Sequence, residues 1–447
     1  MPQNPETYKT ILIVFQELGN FFNITWAIIK AWWWLPMPFL LWPRFAFYWL
    51  WWRQELWGKQ QKFILLEIKI PREMLKPIRA METVLTGFWQ IFSGPNWYEK
   101  WWEGQYPLSF TLEIASVDGE THFYMRVPVK SRNIFEQHVY SQYPEAEIVE
   151  ADDYTKYVPQ DIPNKDWEMW GTDYKLMKEV AYPIRTYTDF ETEREIEEEK
   201  RIDPMASLLE GMAKLQPGEQ IWVQIRAQPI GQEFADPFLN KAKALKDKLA
   251  RRPEKAQPKP MVTEAFDILV MGKVAEAEKP KEELIPPEMK LTPGEKEILA
   301  AVEKKMGKVL FNTTIRYIYL GKRDAFFGGN LRIAMSYFTN FISSNTNGPV
   351  PDGNYITKVK QNWYDWFWFF GRRLYLRKRK LFRNYKMRVW PGYPRWSSDP
   401  AKVGVFVLNA EELATVYHFP SKMVAAAPSV ERVEAKRGEA PLGLPIE

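Results

Sequence analysis

The 447-residue chain has no cysteine. That excludes disulfides, iron–sulfur clusters, thiolate zinc sites and cysteine nucleophiles. Histidine is nearly as scarce. His122, His138 and His418 stand far apart, with no HxH or HExxH spacing, so each reads as an ordinary side chain rather than a metal ligand. There is no G-x-x-x-x-G-K-[ST] loop, no G-x-G-x-x-G after a strand and no G-x-S-x-G elbow. The phosphate cradle of a nucleotide motor, the dinucleotide fingerprint and the hydrolase nucleophile are therefore missing from this sequence. Acidic pairs exist at Asp152-Asp153 and Glu411-Glu412, and adjacent acids in a charged chain read as solvated surface. No catalytic, cofactor or metal residue is assigned, and the chain reads as a non-enzyme. Charge of one sign is not in large excess either: 61 basic and 56 acidic residues leave +5, which demands no polyanionic partner.

What is present is a long apolar run, FFNITWAIIKAWWWLPMPFLLWPRFAFYWLWW at 21–52. From 31 to 43 no side chain is charged, and from 32 to 52 only Arg44 is. About 20 such residues cross the hydrocarbon of a bilayer. Trp32, Trp33 and Trp34 cluster at one end, and Tyr48, Trp49, Trp51 and Trp52 at the other, as in interfacial aromatic belts. Pro36, Pro38 and Pro43 break backbone hydrogen bonding, which leaves two layouts. One is a kinked span over about 24–42 followed by an interfacial helix. The other is a re-entrant hairpin turning at 35–38. An amphipathic helix over 6–18 precedes the run. Only Lys9 lies before the run, whereas Arg53, Lys59 and Lys62 follow it. Positive flanks stay inside, so residues 1–60 read as an anchor in the cytoplasmic membrane with the rest facing the cytoplasm. The start lacks the basic region of a cleaved signal peptide.

The remainder reads as α+β. Alternating strands at 63–70, 109–116, 122–127 and 146–150 and helices at 74–92 and 132–143 give β-α-β-β-α-β. This is the order of a ferredoxin-like fold, with both helices on one sheet face. Asp118-Gly119 supplies the hairpin turn. A similar order recurs at 161–425, from strands at 182–187, 220–227, 311–320 and 403–408 and helices at 204–215 and 325–342. We read it as a second ferredoxin-like module after a first at 61–160. A Lys/Glu/Ala/Pro-rich insertion spans 232–308, with helices expected near 236–251 and 293–306, the latter capped by Thr292. The acidic run 191–200 and the tail 426–447 read as connectors.

One stretch stands out. Arg372, Arg373, Arg377, Lys378, Arg379, Lys380, Arg383, Lys386 and Arg388 occur without an intervening acid. Aromatic residues flank them at 363–370 and at Trp390, Tyr393 and Trp396. Such a mixture can hold nucleic acid through phosphate contacts and stacking. It can also dock on anionic lipid, or be a loop whose aromatic rings pack while the basic stems stay in water.

Several short stretches together resemble one family. They are LLEIKIPREMLKPIRAMETVL (65–85), SFTLEIASVDGETHFYMRVP (109–128), VYSQYPEAEIVEADDYT (139–155), YPIRTYTDF (182–190), DPMASLLE with PGEQIWVQI (203–225) and FVLNAEELATVYHFPSKMV (406–424). The family is the N-terminal, membrane-anchored region of coupling-protein-like ATPases related to type IV secretion and HerA/FtsK motors of candidate-phyla bacteria. In such relatives a motor follows a linker similar to PLGLPI, whereas this sequence stops at Glu447. The resemblance implies an anchored platform of a secretion- or conjugation-like translocase. Its expected partners are a bilayer, further copies of the chain and a separate motor ATPase. A membrane-tethered nucleic-acid-binding protein using 372–396 is the alternative.

Overall fold

Proline sets the first break. Pro36 has no amide proton, so the helix before it cannot run on. In the computed structural model the chain forms α1 (Pro5–Trp32), a turn at 33–35, and α2 (Pro36–Gln60), in which Pro43 is internal. The structure describes residues 5–71, 76–117, 119–190, 203–250, 291–358, 370–393, 404–420 and 432–433. The helix expected at 6–18 is the first part of continuous α1. Expectations for 191–200, 251–290, 363–369, Trp396 and most of the tail lie outside the described residues.

The chain divides into two compact units. The first comprises 1–61 and 95–106, so an aromatic loop from inside the first expected module clusters with the N-terminal helices. Trp49 Nε1 donates to Trp101 O at 2.9 Å. Trp49 meets the Trp102 ring edge-on at 5.8 Å, and Trp57 meets Tyr106 at 4.9 Å. Gly104 turns back with φ +78°, and a Cβ there would lie 2.3 Å from the Arg53 carbonyl carbon. Only glycine fits that approach.

The second unit, 62–94 and 107–447, is built on one sheet. Its first half contains β1 (Phe63–Pro71), α3 (Ile78–Phe88), β2 (Phe110–Val117), β3 (Glu120–Pro128), α4 (Arg132–Gln142) and β4 (Glu147–Ala151). Next come β5 (Trp167–Leu176), α5 (Met205–Ala213), β6 (Glu219–Pro229), α6 (Gln232–Leu249), α7 (Pro293–Met306) and β7 (Leu310–Lys322). The chain continues through α8 (Ile333–Thr339), β8 (Pro349–Pro351), α9 (Phe370–Met387), β9 (Phe406–Asn409), α10 (Ala410–Val416) and β10 (Arg432–Val433). The strand order is β4-β1-β3-β2-β6-β7-β5-β8, with β9 also on β7 and β10 on β1. Among the described residues every pairing of these strands is antiparallel except the two-residue one of β10, and an isolated parallel bridge joins Ile184 to Asn347.

Strand alternation gives the sheet two faces. Phe110, Leu112 and Ile114 of β2, Val223 and Ile225 of β6 and Tyr317 of β7 share the larger core with α3, α4, α5, α8 and α10. On α3, Met81, Val84, Leu85 and Phe88 form the buried stripe, spaced as one helical face requires. Each such side chain contributes about 1.5–3 kcal/mol by leaving water. The opposite face carries a smaller core of Tyr124, Trp222 and Ile318, covered by Leu381, Phe382 and Tyr385 of α9 and by Tyr154, Val158 and Ile162.

Two expectations need correction, and one strand is added. Residues 182–187 form no strand, because their amides go elsewhere. Ile184 N donates to Glu412 Oε1, Arg185 N to Phe341 O and Tyr187 N to Thr415 Oγ1. The first strand of that half is instead β5. The strand expected at 403–408 joins the sheet as β9, along the start of β7, while β8 pairs β5. The helix expected at 325–342 shrinks to α8, behind a turn containing Gly328-Gly329. By contrast, Thr292 caps α7 as expected, in a reciprocal box with Glu295.

Candidate functional site

A polar row crosses the middle of the face beneath α9. The register sets Tyr124 opposite Glu113, Glu113 opposite Gln224, Gln224 opposite Arg316 and Arg316 opposite Asp173. Glu113, Gln224, Arg316 and Asp173 are all at most 2% exposed. Arg316 donates to Asp173 Oδ1 at 2.6 Å, to Gln224 Oε1 at 3.4 Å and to Val389 O at 3.2 Å. Gln224 Nε2 donates to Glu113 Oε1 at 2.9 Å and to Tyr385 O at 3.2 Å.

The row is closed by Arg388, just past the end of α9. It is the one described non-glycine residue with positive φ, at 52°. A left-handed backbone costs about 1–2 kcal/mol outside glycine, and the side chain explains why it is held. Arg388 donates to Glu113 at 2.8 and 3.0 Å and to Asp153 at 2.7 and 3.2 Å. Tyr154 and Thr111 hydroxyls also donate to Glu113, both at 2.8 Å. Burial would raise the Glu113 carboxyl, but the Arg388 charge and these hydrogen bonds hold it below the ordinary range. Asp153 is lowered by the same guanidinium against its own burial. Asp173 goes the other way: burial outweighs Arg316 and raises it, and its Oδ2 meets no hydrogen-bond partner among the described residues. A carboxylate accepting five donors, as Glu113 does, has no lone pair left for chemistry. Through Gln224 and Arg316 the row ties the end of α9 to β2, β6, β7 and β5.

The nine cations expected at one contact surface separate. Arg388 is buried in the row. Lys378 pairs with Glu168 at 2.8 Å, and Arg377 donates to the carbonyls of Gly353 and Ile356 at 3.4 and 3.1 Å. Arg372 is exposed and Arg373 half-buried. Arg379, Lys380, Arg383 and Lys386 line one cavity of about 410 Å³. The segment is thus a helix packed through Leu381, Phe382 and Tyr385, not a loop.

Of the anchor residues, Trp32, Trp33, Trp34, Arg44 and Trp52 are exposed, while Trp49 and Trp51 are half-buried. Trp32 stacks with Trp34 at 6.2 Å. The stretch Gln16–Gln60 is long and apolar enough to cross a membrane. Phe39 and Leu40 are 78% and 73% exposed.

The acidic pair Glu411-Glu412 is not solvated. Both are at most 2% exposed. Glu411 binds Lys304 and Lys308 at 2.7 Å, and Glu412 binds Lys305 at 3.1 Å. Burial outweighs the attraction within the last pair, raising Glu412 and lowering Lys305. His122 contacts Glu67 at 2.6 Å, His418 contacts Asp203 at 2.9 Å, and His138 packs on Phe88. Among the described residues no cluster of three or more metal-ligating side chains occurs.

Residues 100–348, more than half of the chain, match the family described as a domain of unknown function, DUF8128. The chain belongs to the DUF8128 family. Within it, the DUF8128 match contains Glu113, Asp153, Asp173, Gln224 and Arg316 but neither α9 nor Arg388. The latch therefore joins residues inside the DUF8128 match to a helix beyond it. Comparison with curated proteins finds no match.

Proposed function

We propose that this DUF8128 protein is a membrane-anchored, non-enzymatic platform of a type IV secretion- or conjugation-like translocase, working with a separate motor ATPase. The carrying observation is the exposed apolar helix α2, which ends at Gln60 only two residues before β1. Side chains such as Phe39, Leu40 and Trp42 would be costly in water, and a bilayer is the solvent that suits them. The flanking Arg53, Lys59 and Lys62 favour the cytoplasmic side for the second unit.

Two ferredoxin-like modules form the body of this reading. The order β4-β1-β3-β2 around α3 and α4 supports the first. The order β8-β5-β7-β6 around α5 and α8 supports the second. The halves mirror one another and join edge to edge through β2 and β6. Such a body offers contact surface to further copies of the chain and to the motor. The alternative role, nucleic-acid binding by 372–396, has less support once Arg388, Lys378 and Arg377 are engaged inside the fold.

Two experiments test the reading. The sequence has no cysteine, so Lys165→Cys in an exposed loop is a clean reporter. Labelling by an impermeant maleimide only after the cells are opened supports a cytoplasmic second unit; labelling of intact spheroplasts contradicts it. The full chain isolated in mild detergent is expected to bring down, in fixed ratio, an ATPase bearing a phosphate loop. Isolation alone at every detergent condition removes the translocase part.

A further inference from the structure

Arg379, Lys380, Arg383 and Lys386 face one cavity on the α9 side of the sheet. Residues 379, 383 and 386 recur at four and three positions, one stripe of a helix. Leu376 and Phe382 form the apolar part of the wall, and among the described residues no carboxylate lines it. Lys386 Nζ donates to Gln160 O at 3.3 Å and to Gln160 Oε1 at 2.6 Å. Arg383 Nη2 reaches Asn384 Oδ1 only at 3.5 Å. Arg379 Nη1 is buried and meets no hydrogen-bond partner among the described residues.

A buried donor without an acceptor costs about 1–3 kcal/mol. The surrounding charge adds to that. Burial and the neighbouring Arg383 hold Lys380 below the ordinary lysine range, and burial and Arg379 do the same to Lys386. Asp173 pulls Lys380 the other way, and Asp161 pulls Lys386, without overcoming either. Lys378, nearby on α9, shows the satisfied arrangement: it has Glu168. The charge that would relieve the cavity is negative, multidentate and small.

We propose that this cavity binds a phosphate-type oxyanion. Arg379 and Arg383 act as planar donors and Lys380 and Lys386 as point charges. Leu376 and Phe382 pack the organic part of the ligand. A half-open cavity of about 410 Å³ suits one phosphate with a small headgroup better than a run of stacked bases. Free phosphomonoesters and phospholipid headgroups share this chemistry. The site stands on α9 and Gln160 and does not depend on the anchor.

The test uses the full chain in nanodiscs of uncharged lipid, titrated with inorganic phosphate at constant ionic strength by calorimetry. Saturable binding is expected, weakened about tenfold by Arg379→Gln and again by Arg383→Gln, with Lys378→Gln unchanged. Circular dichroism checks that each variant is folded. Phosphatidate in the nanodisc separates the sources. Competition with inorganic phosphate identifies a lipid headgroup, and unchanged phosphate affinity identifies a soluble ester. Heats no different from chloride, or identical in Arg379→Gln, overturn the site. So does single-stranded DNA that binds with a steep salt slope, is weakened by the same substitutions and is not displaced by phosphate.

Discussion

The two units distribute polarity in opposite senses. The first displays Phe39, Leu40 and Trp42 outward. The second encloses Glu113, Arg316, Asp173 and Arg388 beneath a helix. Both follow from one rule: a side chain settles where its desolvation is matched, and a polar group enters the interior only when paired. In the second unit the match comes from cross-strand register and the Arg388 latch. In the first it would come from lipid.

The contrast breaks hardest at Arg388. Replacing it by Ala strands Glu113 as a buried anion and should cost about 3–5 kcal/mol, read by chemical denaturation of the full chain in nanodiscs. Loss within 0.5 kcal/mol, typical of a surface site, would mean the row is not what holds α9. Next comes Leu40→Lys in α2. It should disfavour membrane insertion by about 3 kcal/mol if the residue lies in hydrocarbon, read by glycosylation-tagged insertion into microsomes; unchanged insertion would place α2 outside the core of the bilayer. Gly104→Ala should cost at least about 1 kcal/mol, since positive φ and the Arg53 backbone both oppose a Cβ. The readout is loss of near-ultraviolet tryptophan ellipticity, and an unchanged spectrum would deny the loop its docked geometry.

The smallest effect concerns pH. Glu113 and Asp153 have native values below their ordinary ones. They stabilise the fold above the ordinary carboxylate range, and that contribution is lost as the pH falls through the lowered native values. Asp173 is raised, so its contribution is present at lower pH and lost as the pH rises through its native value. Asp173→Asn should therefore steepen the rise of stability from acid to neutral pH. A flatter profile would reverse the assignment.

Legibility in the sequence follows the same division. The apolar run of the first unit was readable, because hydrophobicity and tryptophan position are local properties. So were β1, β2, β3, β6 and β7, which are rich in β-branched, aromatic and other apolar residues. β5 was not, because Gly171 and Asp173 interrupt its pattern; the Arg316 that pairs with Asp173 comes more than a hundred residues later. Glu113 sits at an alternate position of β2 and looks solvent-facing. What buries it is α9, far downstream. Glu411-Glu412 looks like solvated surface for the same reason, since the lysines that pair with them lie on α7 and beyond it. The basic run was conspicuous, but which of its cations are engaged and which line a cavity is a property of the packed helix.

Flotation of the full-length chain with lipid vesicles through a density gradient tests the central claim most directly. The chain is expected to rise with the lipid, resist alkaline carbonate and require detergent for release. Material that stays at the bottom, monodisperse without detergent, would contradict it.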